Sequence, residues 1–167
     1  MPIMPQSDSH APIGTSATQA RTIDERANFC FGCGPENPEG LHLRFDVDHS
    51  DPESIRATAI VRLTRVHEGP PGFIHGGIIA TLMDEAMSKL NRPLNLLAMT
   101  RHMEVDYLRP APLETDLQLV ARHLRREGRK VFHTAELHAP DGTILARAKG
   151  FFLVIDPSVI ARAQAEA

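Results

Sequence analysis

A chain of 167 residues, 42% of them apolar, fits one ordinary core and buries roughly two-thirds of the surface its unfolded form exposes. Seven Phe, one Tyr and no Trp leave few platforms for stacking bases, and a net charge of -3 supplies no general field for a polyanion, which argues against dedicated single-strand nucleic-acid binding. The only two cysteines share one Cys-x-x-Cys, which suits a reducing compartment better than a disulfide scaffold.

Residues 1–27 hold turn formers without periodicity and read as a flexible arm. They carry neither a basic start nor an apolar run of signal-peptide length, so a cytoplasmic protein is expected. No stretch approaches the ~20 uninterrupted apolar residues of a membrane span. The folded domain is expected over 28–156, with a short helix or tail over 157–167.

Between Leu41 and Asp48, Leu41, Leu43, Phe45 and Val47 alternate with polar residues, the pattern of a half-buried strand. Ile55, Ala57, Ala59, Val61 and Leu63 repeat it, and Gly69-Pro70-Pro71-Gly72 cannot continue a sheet. From Gly76 the period becomes helical: Ile79, Leu82, Met83, Ala86 and Leu90 fall on one stripe that Arg92-Pro93 closes. Strands follow over 97–108, 117–124, 131–139 and 143–155, the last three joined by hairpin-length turns at Glu127-Gly128 and Pro140-Asp141-Gly142. This order predicts an α+β fold, an antiparallel sheet wrapped around one long helix.

The Gly/Pro-rich loop delivers His75-Gly76-Gly77 to the helix start, where unpaired amides and the positive end of the helix dipole stabilise a developing oxyanion. By themselves the glycines serve close packing equally well. Asp84, mid-helix beside the apolar stripe, is a poor helix former placed where it reaches the edge of a cleft. An isolated Asp84-Glu85 pair also reads as surface charge, with Glu85 simply solvated.

Arg122, Arg125, Arg126, Arg129 and Lys130 bracket a turn and suit either phosphates or a solvated hairpin tip. Arg101 shares the phase of Met99, Met103, Val105 and Tyr107, and on a buried face it needs a partner or a ligand anion. Cys30 and Cys33, with His42 nearby, form half of a zinc set. With no second cysteine pair, two small buried side chains in a Gly-rich turn are the expectation, and no metal. His102, His123, His133 and His138 lie inside strand patterns and are expected to pack or face water.

His75-Gly76-Gly77 with Asp84 nine residues after the His resembles the motif of hot-dog acyl-CoA thioesterases of the phenylacetate-pathway and thioesterase-superfamily-member type. Cys30-Phe31-Gly32-Cys33-Gly34-Pro35, Tyr107-Leu108-Arg109-Pro110 and Glu127-Gly128-Arg129-Lys130 extend the resemblance over roughly 28–155. The resemblance implies a hot-dog fold, thioester hydrolysis without a cofactor, and a homodimer or dimer of dimers. It implies Asp84 as base or nucleophile, Gly76 as oxyanion amide, Thr100 as a water-orienting hydroxyl and His75 as an organiser of the loop. Gly77, His67, Glu68, Arg101, Arg129 and Lys130 are the expected substrate contacts. Where some members carry Asn or Gln before His-Gly-Gly, this chain has His67-Glu68-Gly69-Pro70-Pro71-Gly72. A hot-dog dehydratase or hydratase and a non-catalytic acyl-CoA binding module are the alternatives.

Overall fold

The computed structural model describes residues 28–51 and 54–165; the arm expected over 1–27 lies outside them. The elements are β1 (Asp46–Asp48), β2 (Arg56–Val61), α1 (Gly76–Ser88), β3 (Ala98–Tyr107), β4 (Leu117–Glu127), β5 (Lys130–His138), β6 (Ile144–Val154) and α2 (Pro157–Ala165). The strands form one antiparallel sheet in the order β1-β2-β4-β5-β6-β3. The chain therefore leaves β2 near one edge, crosses the sheet as α1, and returns as β3 at the other edge.

The stripe predicted on the helix is the buried one. Ile79, Leu82, Met83, Ala86 and Leu90 pack with Leu119 and Ala121 of β4, Val131, Ala135 and Leu137 of β5, and Ala148 and Phe152 of β6. Each large side chain so buried contributes about 1.5–3 kcal/mol, which makes the helix–sheet contact the main source of stability. Beyond Ser88 the helix tightens into a 3-10 turn over Lys89–Asn91. There Asn91 Oδ1 lies 3.1 Å from Nε2 of fully buried His133, whose Nδ1 lies 3.3 Å from His123 Nδ1.

Three expectations need correction. The strand expected over 41–48 is regular only at Asp46–Asp48. His42 has a φ of 51°, and the Leu41 and Leu43 amides donate to the Phe31 and Gly32 carbonyls instead of to a sheet partner. Arg101 is exposed, as is Met99 on the same phase, and a bulge between Thr100 and His102 separates both from the half-buried Met103. The cysteines are not a buried pair: Cys30 is exposed and Cys33 only half-buried, since their turn lies at the rim of the core.

Candidate active site

The loop before α1 is built around Glu68, whose carboxylate accepts the Gly72 N–H at 2.7 Å while Arg65 pairs with it at 3.8 Å. Ile74 is buried and its amide donates to the Ala111 carbonyl, which fixes where the helix begins. His75 is the N-cap residue, and its Nδ1 accepts the Gly77 N–H at 3.0 Å. The Ile78 and Ile79 amides go to the His75 carbonyl. Capping thus occupies three of the first amides and leaves Gly76, at the first helical position, with no intrahelical acceptor.

Eight residues on, Asp84 Oδ1 accepts the Thr100 hydroxyl of β3 at 2.6 Å. A charged acceptor at this distance marks a strong, oriented contact. Burial raises the Asp84 pKa above the usual carboxylate value; the Thr100 hydrogen bond opposes that shift and the Glu85 charge adds to it. At 1.5 Å per residue, Gly76 and Asp84 stand about 12 Å apart along α1. One thioester carbon does not reach both within a single chain.

Tyr107, at the far end of β3, donates its hydroxyl to the Gly76 carbonyl at 3.0 Å. A Cβ built on Gly76 would lie 3.5 Å from the Tyr107 ring. Its motif segment was recognisable in the sequence but gave it no role. An aromatic with a polar tip ending a strand was the only signal in the sequence.

The other expected contacts divide. His67 Nδ1 faces the Thr64 backbone at 3.3 Å, so both His67 and Glu68 are engaged in organising their own loop. Arg129 donates to the Val154 carbonyl at 3.0 Å, and Lys130 lies over the Phe151 ring at 5.3 Å. Lys130 pairs with Leu153, and Leu153 with Met99, so the β4–β5 tip lies at the same end of the sheet as Thr100 and Arg101. Glu85 is not simply solvated: its carboxylate pairs with Lys89 at 2.6 Å and turns toward the cysteines. Burial and Glu85 push the Cys33 thiol up to about 11, against the opposing Lys89 ammonium.

An antiparallel sheet closed around one long helix, with a glycine amide at the helix start and a carboxylate mid-helix, is a hot-dog domain. Residues 71–146 match the family model described as Thioesterase superfamily. The acyl-coenzyme A thioesterase THEM4 of Xenopus laevis is 36% identical over 91 residues, covering 54% of this chain and 41% of the relative. This chain therefore spans well under half the length of that relative. A solved thioesterase superfamily protein superposes with a TM-score of 0.67 at 29% identity, over 75% of this chain and 60% of the other. A hypothetical thioesterase of Streptococcus pneumoniae TIGR4, solved with coenzyme A, shares the fold at a TM-score of 0.59 and 16% identity, over 67% of this chain and 86% of that one. Among the described residues no helix is long and apolar enough to cross a membrane.

Proposed function

We propose that the chain hydrolyses acyl-CoA thioesters as a homodimer, each site combining Gly76 of one protomer with Asp84 and Thr100 of its partner. The observation that carries the reading is the 2.6 Å contact between Thr100 and a half-buried Asp84 of raised pKa, on the same helix that Gly76 begins. Desolvation makes that carboxylate a stronger base, which matches general-base work near neutral pH. Support for the substrate class comes from the name of the THEM4 relative and from the coenzyme A held by the streptococcal neighbour.

In this mechanism the Gly76 N–H polarises the thioester carbonyl. Thr100 holds Asp84 through Oδ1, so Oδ2 faces the reaction. It takes a proton from water as the water oxygen bonds to the carbonyl carbon. The oxyanion then collapses, the carbon–sulfur bond breaks, and the departing thiolate recovers the proton. Direct attack by Asp84 uses the same oxygen and reaches the same products through an anhydride that water opens. Arg101, Arg129 and Lys130, at the same end of the sheet, supply charge for the CoA phosphates. The twofold partner approaches along β3, whose outer edge is unpaired in the sheet and whose Met99 and Tyr107 are exposed.

The test is a thiol-release screen over straight-chain and aromatic acyl-CoAs, run beside enoyl-CoA hydration and equilibrium binding. Release of free CoA with multiple turnovers supports the reading. Binding with no release, or hydration alone, overturns it.

A further inference from the structure

The turn containing the two cysteines is built too tightly to be filler. The Gly34 N–H donates to the Cys30 carbonyl at 2.8 Å, and the Cys30 amide donates to Asn28 Oδ1 at 3.1 Å. A side chain at Gly34 would collide with the Asn28 carbonyl and the Cys30 backbone, so the residue after Cys33 has to be glycine. The turn aims both sulfurs toward α1, on the side where Glu85 leaves the helix.

Glu85 completes the group from 55 residues away. Its Oε2 lies 3.7 Å from Cys30 Sγ, and a Cβ on Gly32 would sit 2.6 Å from the same oxygen. The carboxylate occupies the space that a side chain between the cysteines would need. Cys30 Sγ, Cys33 Sγ and the Glu85 oxygen all fall within 4.8 Å of one another. Zinc bonds of about 2.3 Å to sulfur and about 2.0 Å to oxygen in a tetrahedron set ligand separations near 3.5–3.8 Å. The three atoms reach that spacing by moving about 1 Å.

Lys89 fits the same arrangement as an outer partner. It donates to Cys33 Sγ at 2.8 Å and pairs with Glu85 through Oε1 at 2.6 Å, which leaves Oε2 toward Cys30. A dication with two thiolates and one carboxylate carries one negative charge, which the Lys89 ammonium neutralises. A thiolate has lone pairs for both a metal and an N–H donor, so Lys89 need not leave. Cys30 is exposed, so the fourth position opens to solvent.

We propose that Cys30, Cys33 and Glu85 bind a divalent cation of the zinc type, with Lys89 as its outer hydrogen-bond donor. Two sulfurs among three ligands select a borderline-soft ion over magnesium or calcium. The ion fastens the segment before β1 to α1 at the residue next to Asp84, and gives the chain a site independent of its hydrolytic chemistry.

The test uses the full chain, freed of metal with a chelator, kept in a non-thiol reductant and titrated with Co²⁺. One equivalent is expected to produce thiolate-to-cobalt absorption in the near ultraviolet, abolished by added Zn²⁺. Cys30→Ser, at an exposed position, is expected to fold normally and lose the band. Glu85→Gln is expected to bind at least about tenfold more weakly, and Lys89→Met about 10–100-fold more weakly, as outer-shell partners do. No band in the reduced protein overturns the assignment, as does a band that survives Cys30→Ser or an affinity unchanged by Glu85→Gln. Closure of a Cys30–Cys33 disulfide by a small-molecule disulfide in a protein that binds no Co²⁺ would make the pair a redox site instead. All readouts are spectroscopic, so they stand or fall apart from hydrolysis.

Discussion

Thr100 and Asp84 come from different elements, β3 and α1, and meet at 2.6 Å between hydroxyl and carboxylate. Asp84→Asn keeps the size and the contact but removes the base and the anionic nucleophile. Turnover is expected to fall below a tenth of the parent value with an unchanged circular dichroism spectrum; a variant above that level rejects Asp84. Thr100→Ala is expected to be milder. A hydrogen bond to a charged group is worth about 1.5–3 kcal/mol, roughly a ten- to hundredfold loss in kcat/KM.

Tyr107 holds the Gly76 carbonyl from outside the helix. Tyr107→Phe removes one neutral hydrogen bond, worth about 0.5–1.5 kcal/mol, while the ring stays against Gly76. We expect kcat to drop roughly two- to tenfold with KM nearly constant and the melting temperature lowered by no more than about 2–6 °C. A shift in melting temperature without a change in kcat would make the contact structural only.

The shared site is testable by complementation. An Asp84→Ala chain and a Gly76→Val chain, each inactive but folded, are mixed after subunit exchange has been verified. One site of each mixed dimer then receives both intact residues, and its mate receives both defects. Random pairing at equal amounts is expected to restore about one quarter of parental activity. No recovery would place the site within one chain. Gly76→Ala is a useful companion: its methyl meets the Tyr107 ring at ordinary contact distance, so lost activity there reports obstruction of the amide and not misfolding.

His133 links stability to pH. Burial, then the neighbouring His123, lowers its pKa from 6.5 to about 3. Below about 6.5 the unfolded chain takes up a proton that the folded chain refuses, so stability present above that pH is lost as pH falls toward 3. The slope from this one group is at most about 1.4 kcal/mol per pH unit. Urea midpoints measured from pH 7 to 4 are expected to fall steeply for the parent and less steeply for His133→Gln, whatever its absolute stability. Parallel curves would remove His133 from the account.

Periodicity carried the helix stripe and four long strands, because burial against one core is what alternation and the 3.6 repeat report. It did not report bonding partners. Leu43 is buried and Arg44 exposed, as alternation requires, yet the Leu43 amide serves the cysteine turn instead of a strand. The Thr100/His102 bulge shifts the register in a way that no pattern in β3 betrays, at the position Arg101 occupies. A motif singles out Asp84 and Gly76 as expected site residues. Glu85 beside Cys30 was not legible, because that contact is made by folding and leaves no local trace.

The sheet has two unequal borders. One is β3, ten residues long with exposed Met99 and Tyr107; the other is β1, three residues long and flanked by the exposed Asp46 and Asp48. A long border with free backbone groups invites strand addition, whereas a three-residue one offers few backbone partners. Joining β3 to β3 across a twofold consumes both receptive borders at once and leaves only acidic stubs outside. In the proposed dimer, growth by strand addition would stop at two copies, because only the three-residue borders remain free.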